Sequence, residues 1–509
     1  MNLIKLVVSI FIFNHPIGLF SQITLNLAGT TTKVVFVNRE TSNQVDAGVN
    51  VKLKMIYRDE GGYDKAHILV DDKIELVQFK QLEKIDFKPS GNQEFWQQQC
   101  LKRGVYENIL VNGFQYKVRK EMEDEALNYL YHLSSNNLLI KDAYLESYLY
   151  SLVYKLLPEK TNDGRPGIVN VHIVKDLAPN AFVFSNGSLF VNTGLLSTVH
   201  SEAELLAVLA HEIAHFVLDH AILNINKATQ RQKRAEFWSA VATGAAAAVD
   251  IYAASKSQVY TPGILTMGTA ILSFSIAESI NERFGIKYSQ EQEMEADRVA
   301  VDLLNFTQAN PKALSTALSR IKTYCVLAGD YYALSGQGTH PSIDSRINAM
   351  GKPTTINDST YDRKISFINT FNAGLEMSRQ HFTASRELVQ RNIKANVGTE
   401  DDYVLASMSN LYLHDSPEKN KEALDYLTKA KQLSANPSLN IHKIEALVFL
   451  RLEKTTDAKD SFLKYKMSLE KEVANLGKIN NDHDWSVVAR YLNDELDWTQ
   501  KMIMKANRL

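Results

Sequence analysis

The segment that most constrains this chain is residues 205–220, an apolar run broken by His211, Glu212 and His215 and closed by Asp219-His220. With Glu204 ahead of it, the run reads as a buried helix that shields whatever its polar residues hold. At about 100° per residue, positions 211 and 215 share one face, one turn apart. Their imidazoles can therefore reach one zinc ion, at metal–nitrogen distances of about 2.0–2.1 Å. Glu212 borders that face, where it can take a proton from a zinc-bound water and return it to a leaving amine. H-E-x-x-H also arises by chance, so the pattern needs a third ligand before it becomes a site.

A zinc hydrolase has three protein ligands and one position open for water. The run Glu291-Gln292-Glu293-Met294-Glu295-Ala296-Asp297 supplies a candidate. Glu293 and Asp297 are one helical turn apart, so Glu293 can bind the metal while Asp297 accepts the second ring N–H of a ligating histidine. Ala296 is a small packing residue between them, and Glu291 and Glu295 are expected at the surface. His220, nine residues after His211, falls half a turn round the helix and is not expected to be a ligand. His172 and His200 have no partner pattern. His340 precedes Pro341 and so belongs to a loop.

A length of 509 residues allows about three domains. Lys+Arg 56 against Asp+Glu 58 leaves no basic excess to neutralise phosphates, so no nucleic-acid partner is expected. Two cysteines, Cys100 and Cys325, are too few for a disulfide scaffold or a cysteine zinc cluster. Lys5, the apolar run Leu6 to Phe13 and Ser21 read as a secretory signal, which implies export to a periplasm or beyond. Residues 22–118 read mostly as strands, among them Thr32–Val37 and Val49–Met55. Helical spacing runs from Glu121 to Leu157, then a strand at Ile168–Val174, then a hairpin at Ala181–Val191 turning on Asn186-Gly187.

Two apolar stretches, Phe237–Val249 and Pro262–Ala277, are each short for a membrane span. They read as a buried helical hairpin or, helped by Lys227, Arg231, Lys233 and Arg234, as peripheral membrane contact through 237–277. From residue 356 the chain is helical. Leu411-Tyr412, Ala423, Tyr426 and Ala430 are echoed by Ala446, Leu450, Ala458, Phe462 and Tyr465 about 35 residues later, as in tetratricopeptide repeats; a plain helical bundle is the alternative.

Taken in order, Asn180-Ala181-Phe182, Asn186-Gly187, Thr193-Gly194-Leu195-Leu196, His211-Glu212-Ile213-Ala214-His215, Glu293-x-x-Ala296-Asp297 and His340-Pro341 followed by Arg346 form a linked set. Over about residues 125–350 the chain resembles the HtpX/BepA-type gluzincin zinc metalloendopeptidases. The resemblance implies one Zn2+ per chain on His211, His215 and Glu293, with Glu212 as general base. It puts His340 near the metal, stabilising the oxyanion or filling the fourth position at rest. Arg346 is expected to anchor that loop by a salt bridge. Residues 22–118 depart from the family plan.

The expected architecture is α+β: a mostly helical zincin-type metalloprotease core with a small sheet, a β-rich N-terminal domain and an α-helical repeat tail. Its parts are a signal peptide at 1–21, a β-rich domain at 22–118, the metalloprotease at 119–355 and the helical tail at 356–509. The expected activity is hydrolysis of peptide bonds in unfolded or misassembled envelope proteins, with a polypeptide as substrate and a protein partner on the tail. If a hairpin strand carrying Asn180, Phe182, Asn186 and Gly187 is a sheet edge, an extended peptide can add to it through main-chain hydrogen bonds. The competing expectation is a tetratricopeptide scaffold or chaperone with a latent or structural zinc site. A membrane-embedded protease would need several spanning helices, which the sequence lacks.

Overall fold

Alternation marks the N-terminal strands, and helical spacing marks most of the elements after them. The computed structural model describes residues 21–37, 43–59, 62–108, 113–161, 165–223, 288–328, 342–354, 358–433, 440–476 and 486–506. The signal segment up to residue 20, the stretch 237–277 and His340 lie outside the described residues. The fold is α+β, and its residues fall into two compact units.

One unit comprises residues 1–121, 157–168 and 217–219. Its strands are β1 (Ser21–Thr31), β2 (Val35–Phe36), β3 (Gln44–Val45), β4 (Asn50–Asp59), β5 (Gly62–Val70), β6 (Lys73–Gln78) and β7 (Ile85–Phe87). Five of them form one antiparallel sheet in the order β6-β5-β4-β1-β7, while β2 pairs only with β3. Leu27, Leu53, Ile56, Ile68 and Val77 bury one face. The spacing of Leu53 and Ile56 is three rather than two because the β4 register shifts between Leu53 and Met55. Asp71 and Asp72 both have positive φ, which closes the β5–β6 hairpin. Of the run Thr32–Val37 only Val35–Phe36 is strand, whereas Val49–Met55 does lie largely in β4. Two helices, α1 (Asn92–Lys102) and α2 (Val105–Asn108), also belong here. Phe95, Trp96 and Cys100 are buried, Gln97 accepts from the Asn26 amide and Gln98 donates to the Phe87 carbonyl.

The second unit holds residues 122–156, 169–216 and 220–509. The helical pattern expected from Glu121 to Leu157 is divided into α3 (Gly113–Ser135) and α4 (Ala143–Val153), with the short strand β8 (Leu139–Ile140) between them. Asn137 takes a positive φ that ends α3, and the Asp142 carboxylate accepts the Leu145 amide to start α4. Strands β9 (Asn170–Val174), β10 (Ala181–Val183) and β11 (Ser188–Asn192) complete a four-stranded sheet in the order β10-β11-β9-β8. β10 and β11 form the hairpin on Asn186-Gly187, and β11 runs parallel to β9. Tyr129 and Leu133 of α3 pack on Phe184 and Phe190 of this sheet, with Phe182 against them.

The chain passes from β11 into α5 (Thr193–Thr198) and then α6 (Glu202–Val217), the helix of the histidine pair. Next come α7 (Gln290–Phe306), α8 (Ala313–Ala328) and α9 (Ile343–Met350). The tail consists of α10 (Ser359–Lys364), α11 (Ser366–Ser378), α12 (Phe382–Lys394), α13 (Glu400–Leu413), α14 (Pro417–Leu433), α15 (Asn440–Arg451), α16 (Thr455–Leu476) and α17 (Ser486–Ala506). Successive tail helices pack on one another, with Ala423, Ala430, Ala446 and Ala458 buried where they meet. The first tail helices also grip α5. Tyr361 donates to the Leu196 carbonyl at 2.7 Å, and Asn372 donates to the Thr193 carbonyl and the Ser197 hydroxyl, each at 2.8 Å. Arg391, paired with Asp362, donates to the Ser197 and Val199 carbonyls. These contacts tie down the turn that aims α6.

That turn depends on Gly194, whose amide donates to the Asp176 carbonyl at 2.7 Å. A Cβ there would stand 2.0 Å from the Leu177 carbonyl oxygen, so backbone must move. Gly194→Ala is expected to cost about 1–3 kcal/mol in a denaturant melt, the usual size of an overpacking defect. An unchanged midpoint would show that α5 is not held where the structure has it.

Candidate metal centre

α6 is buried on nearly every side, with Leu205, Ala207, Leu209, Ala210, Ile213 and Ala214 all fully covered. A helix so enclosed can carry polar side chains only where they find partners. At its start, Glu204 accepts from Arg320 and from the His200 amide. Midway, His211, Glu212 and His215 are likewise buried. The α6 helical turn sets the two imidazoles with Nε2 atoms 3.1 Å apart. A capping box between Ser289 and Gln292 starts α7, and the next residue, Glu293, brings one carboxylate oxygen to 3.6 Å from His211 Nε2 and the other to 3.6 Å from His215 Nε2.

This donor set can be tested against zinc. Ligand atoms at about 2.0–2.1 Å from a tetrahedral ion stand roughly 3.3–3.4 Å from one another. The nearest approaches, 3.1 Å between the two Nε2 atoms and 3.6 Å from each of them to a different Glu293 oxygen, lie close to that value. Among the described residues, His211, His215 and Glu293 are the one group of three or more such side chains that could hold a metal ion. Two imidazoles and a carboxylate suit Zn2+.

Asp297 lies 2.9 Å from His211 Nδ1, on the side of the ring away from Nε2. Arg346 on α9 grips Asp297 with two bonds, at 2.8 and 2.7 Å, and stands 3.3 Å from Glu293. The salt bridge expected of Arg346 therefore runs to the carboxylate behind His211. Burial works against the Asp297 charge, but Arg346 and His211 overcome it and hold the carboxyl down at about 2. Burial and Arg346 oppose the charged form of His211, and the hydrogen bond and charge of Asp297, with the charge of Glu293, outweigh them and leave its pKa raised. His215 has no carboxylate so close; burial, then the neighbouring His211, push its pKa far down, which suits a neutral ligand.

His220 takes no part in the ligand group, as expected, but it is not idle. Its ring is buried and its Nδ1 lies 2.9 Å from His215 Nδ1. The helical-wheel argument stops at Val217, where α6 ends; Asp219 then takes a positive φ and turns His220 back. Glu295, expected at the surface, keeps part of its side chain exposed and reaches His220 Nε2 at 3.3 Å. Tyr288 stacks on the His215 ring with centroids 3.7 Å apart, a contact with no signal in the sequence motif.

The hairpin residues fall where they were expected, with divided roles. The Asn186 side chain accepts the Ser188 amide, and Gly187 has the positive φ the turn needs. Phe182 stacks on Phe190 and joins the core. β10 is an edge of the described sheet. Because Phe184 donates to Ser188 and Asn192 donates to the Asn180 carbonyl, the ladder uses the main chain of Asn180, Phe182 and Phe184. The outward main-chain groups are those of Ala181 and Val183.

Residues 143–354, from α4 to just beyond α9, match the model of Peptidase family M48. It is 28% identical over 194 residues to the Beta-barrel assembly-enhancing protease of Escherichia coli (strain K12), covering 38% of this chain and 36% of that protein. Over 180 residues it is 30% identical to the Mitochondrial metalloendopeptidase OMA1 of Schizosaccharomyces pombe, covering 35% of this chain and 45% of that protein. Metalloendopeptidase OMA1, mitochondrial, of Homo sapiens is 26% identical over 255 residues, 48% of this chain and 43% of that protein. The chain thus spans less than half the length of these relatives.

Removing Arg346 leaves Glu293 and Asp297 buried without their cation. Arg346→Met is expected to destabilise the metal-free protein by about 3–5 kcal/mol near neutral pH, as for other broken buried pairs. The sign with pH follows from Asp297, whose carboxyl sits at about 2 rather than at the usual 3.8. Stability from that charge is fully present above the higher value and fades as pH falls through the lower one. Urea melts should show the gap between wild type and variant narrowing below about pH 4. A gap that stays constant would contradict the Asp297–Arg346 coupling.

Proposed function

We propose that this chain, through its Peptidase family M48 domain, is a zinc-dependent metalloendopeptidase acting on unfolded or misassembled envelope proteins. The observation that carries the reading is the convergence of three buried side chains, His211 and His215 on α6 beside Glu212 and Glu293 on α7, with donor atoms within 4.8 Å of one another. His211, His215 and Glu293 would hold one Zn2+, which when bound polarises the scissile carbonyl and acidifies a water. Glu212 takes the proton of that water and returns it to the leaving amine. Asp297 accepts His211 Nδ1–H and so keeps Nε2 free to bind, and Arg346 holds Asp297 and Glu293 in place. His340 is assigned, by resemblance alone, to the developing oxyanion or to the fourth position at rest.

An extended substrate segment would add to β10 through the outward main-chain groups of Ala181 and Val183. Recognition by main chain rather than side chain fits unfolded polypeptides of varied sequence. The four-part division at residues 21, 118 and 355 accompanies this reading. In it the leader exports the protein to a periplasm or beyond, and the tail helices act as tetratricopeptide-like repeats that grip a partner. Segment 237–277 is the candidate for membrane contact; no helix among the described residues is long and apolar enough to cross one. The name of the Escherichia coli relative, an assembly-enhancing protease of β-barrels, supports an envelope substrate. The scaffold reading has no observation of its own in its favour, since the buried Glu212 beside the donors serves hydrolysis.

Purified protein assayed on casein, with zinc content measured in parallel, tests this reading. Glu212→Gln should retain about one zinc per chain and lose about 10²–10⁴-fold in turnover. Equal turnover by that variant would remove Glu212 from the chemistry. Ala181→Pro should keep its zinc and slow casein cleavage about tenfold, the loss of one or two main-chain hydrogen bonds. Unchanged turnover there would contradict substrate pairing along β10.

A further inference from the structure

His220 and Glu295 lie outside the ligand set, yet a continuous row of contacts joins them to it. His215 turns Nε2 toward His211 and Glu293, at 3.1 and 3.6 Å. A neutral imidazole has one N–H and one lone pair, so a His215 that ligates through Nε2 carries its proton on Nδ1. The atom 2.9 Å away is His220 Nδ1, which must then accept. The proton of His220 is thereby placed on Nε2, 3.3 Å from a Glu295 oxygen that accepts it. A single protonation pattern satisfies every contact from carboxylate to ligand atom.

The row is also held from the side. Gln292 donates to the His220 carbonyl at 3.2 Å, and Tyr288 stacks on the His215 ring. Glu295 and Glu293 share α7, so one helix supplies both a ligand and the carboxylate standing two hydrogen bonds behind another ligand. His211 reaches its carboxylate directly, at 2.9 Å from Asp297, whereas His215 reaches one through a second imidazole. An apolar residue at position 220 would leave the buried His215 Nδ1–H without this acceptor.

We propose that His220 and Glu295 form a positioning relay behind His215, fixing its ring orientation and its Nδ1–H tautomer, and that the site's metal affinity depends on it. The proposal rests on the reading of His211, His215 and Glu293 as zinc ligands. Its test is zinc affinity, measured by competition with a chromophoric chelator, together with the visible spectrum of the Co2+-loaded full chain. His220→Leu is expected to weaken zinc binding about 10–100-fold and to shift the cobalt bands. His220→Asn, whose side-chain oxygen can accept in place of Nδ1, should recover most of the affinity. Glu295→Gln should weaken binding by less than His220→Leu.

Wild-type protein that takes up no stoichiometric zinc would overturn the ligand reading itself. Tight wild-type binding with His220→Leu within about twofold would overturn the relay alone, against the 10–100-fold expected of such partners. Equal weakening in His220→Leu and His220→Asn would also overturn it, since only packing would then matter. Should His220→Leu fail to fold, Glu295→Leu, which removes the acceptor of the His220 Nε2–H, decides: weaker zinc binding supports the relay, and unchanged affinity overturns it.

Discussion

The burial of Glu293 and Asp297 beside two imidazoles is the constraint on which the rest depends. Carboxylates removed from water are costly unless charge and hydrogen bonds answer them. Here Arg346 answers both, His211 answers Asp297, and the free side of the imidazole pair faces Glu293. The cluster is therefore a polar network with a place for a cation rather than a conventional core. Each element that contributes to it must be positioned to a fraction of an ångström.

That requirement explains the arrangement around it. α6 is covered on nearly every side, and its approach is fixed by α5, which the tail helices clasp through Tyr361, Asn372 and Arg391. α7 is started by a capping box and tied to the end of α6 through Gln292. α9, which packs on α7 and α8, brings in Arg346. The helical tail is thus part of what orients the helix of the histidine pair.

Much of the centre was legible because helix periodicity is rigid. A four-residue step puts His211 with His215, and Glu293 with Asp297, on one face each, and the structure has both pairs so. Arg346 was legible as a salt-bridge residue but not by partner, because pairing across 49 residues is tertiary. The contact of His220 with His215 was not legible, because wheel geometry stops at the end of α6, where Asp219 takes a positive φ. The hairpin was read from Asn186-Gly187, while its outward main-chain groups emerged only from the ladder register. The break between α3 and α4 was hidden under continuous apolar spacing, although Asn136-Asn137 and the cap at Asp142 mark it. Residues 32–37 looked like a strand by composition, yet only Val35–Phe36 found a partner in β3.

The claim under all of this is that His211, His215 and Glu293 are the ligands of a single zinc ion. Zinc K-edge X-ray absorption on the purified protein tests it most directly. The account predicts one zinc per chain with nitrogen and oxygen scatterers at about 2.0–2.1 Å and the outer-shell signature of two imidazoles, one of which disappears in His215→Ala. Zinc bound without imidazole scattering, or an unchanged spectrum in His215→Ala, would contradict it.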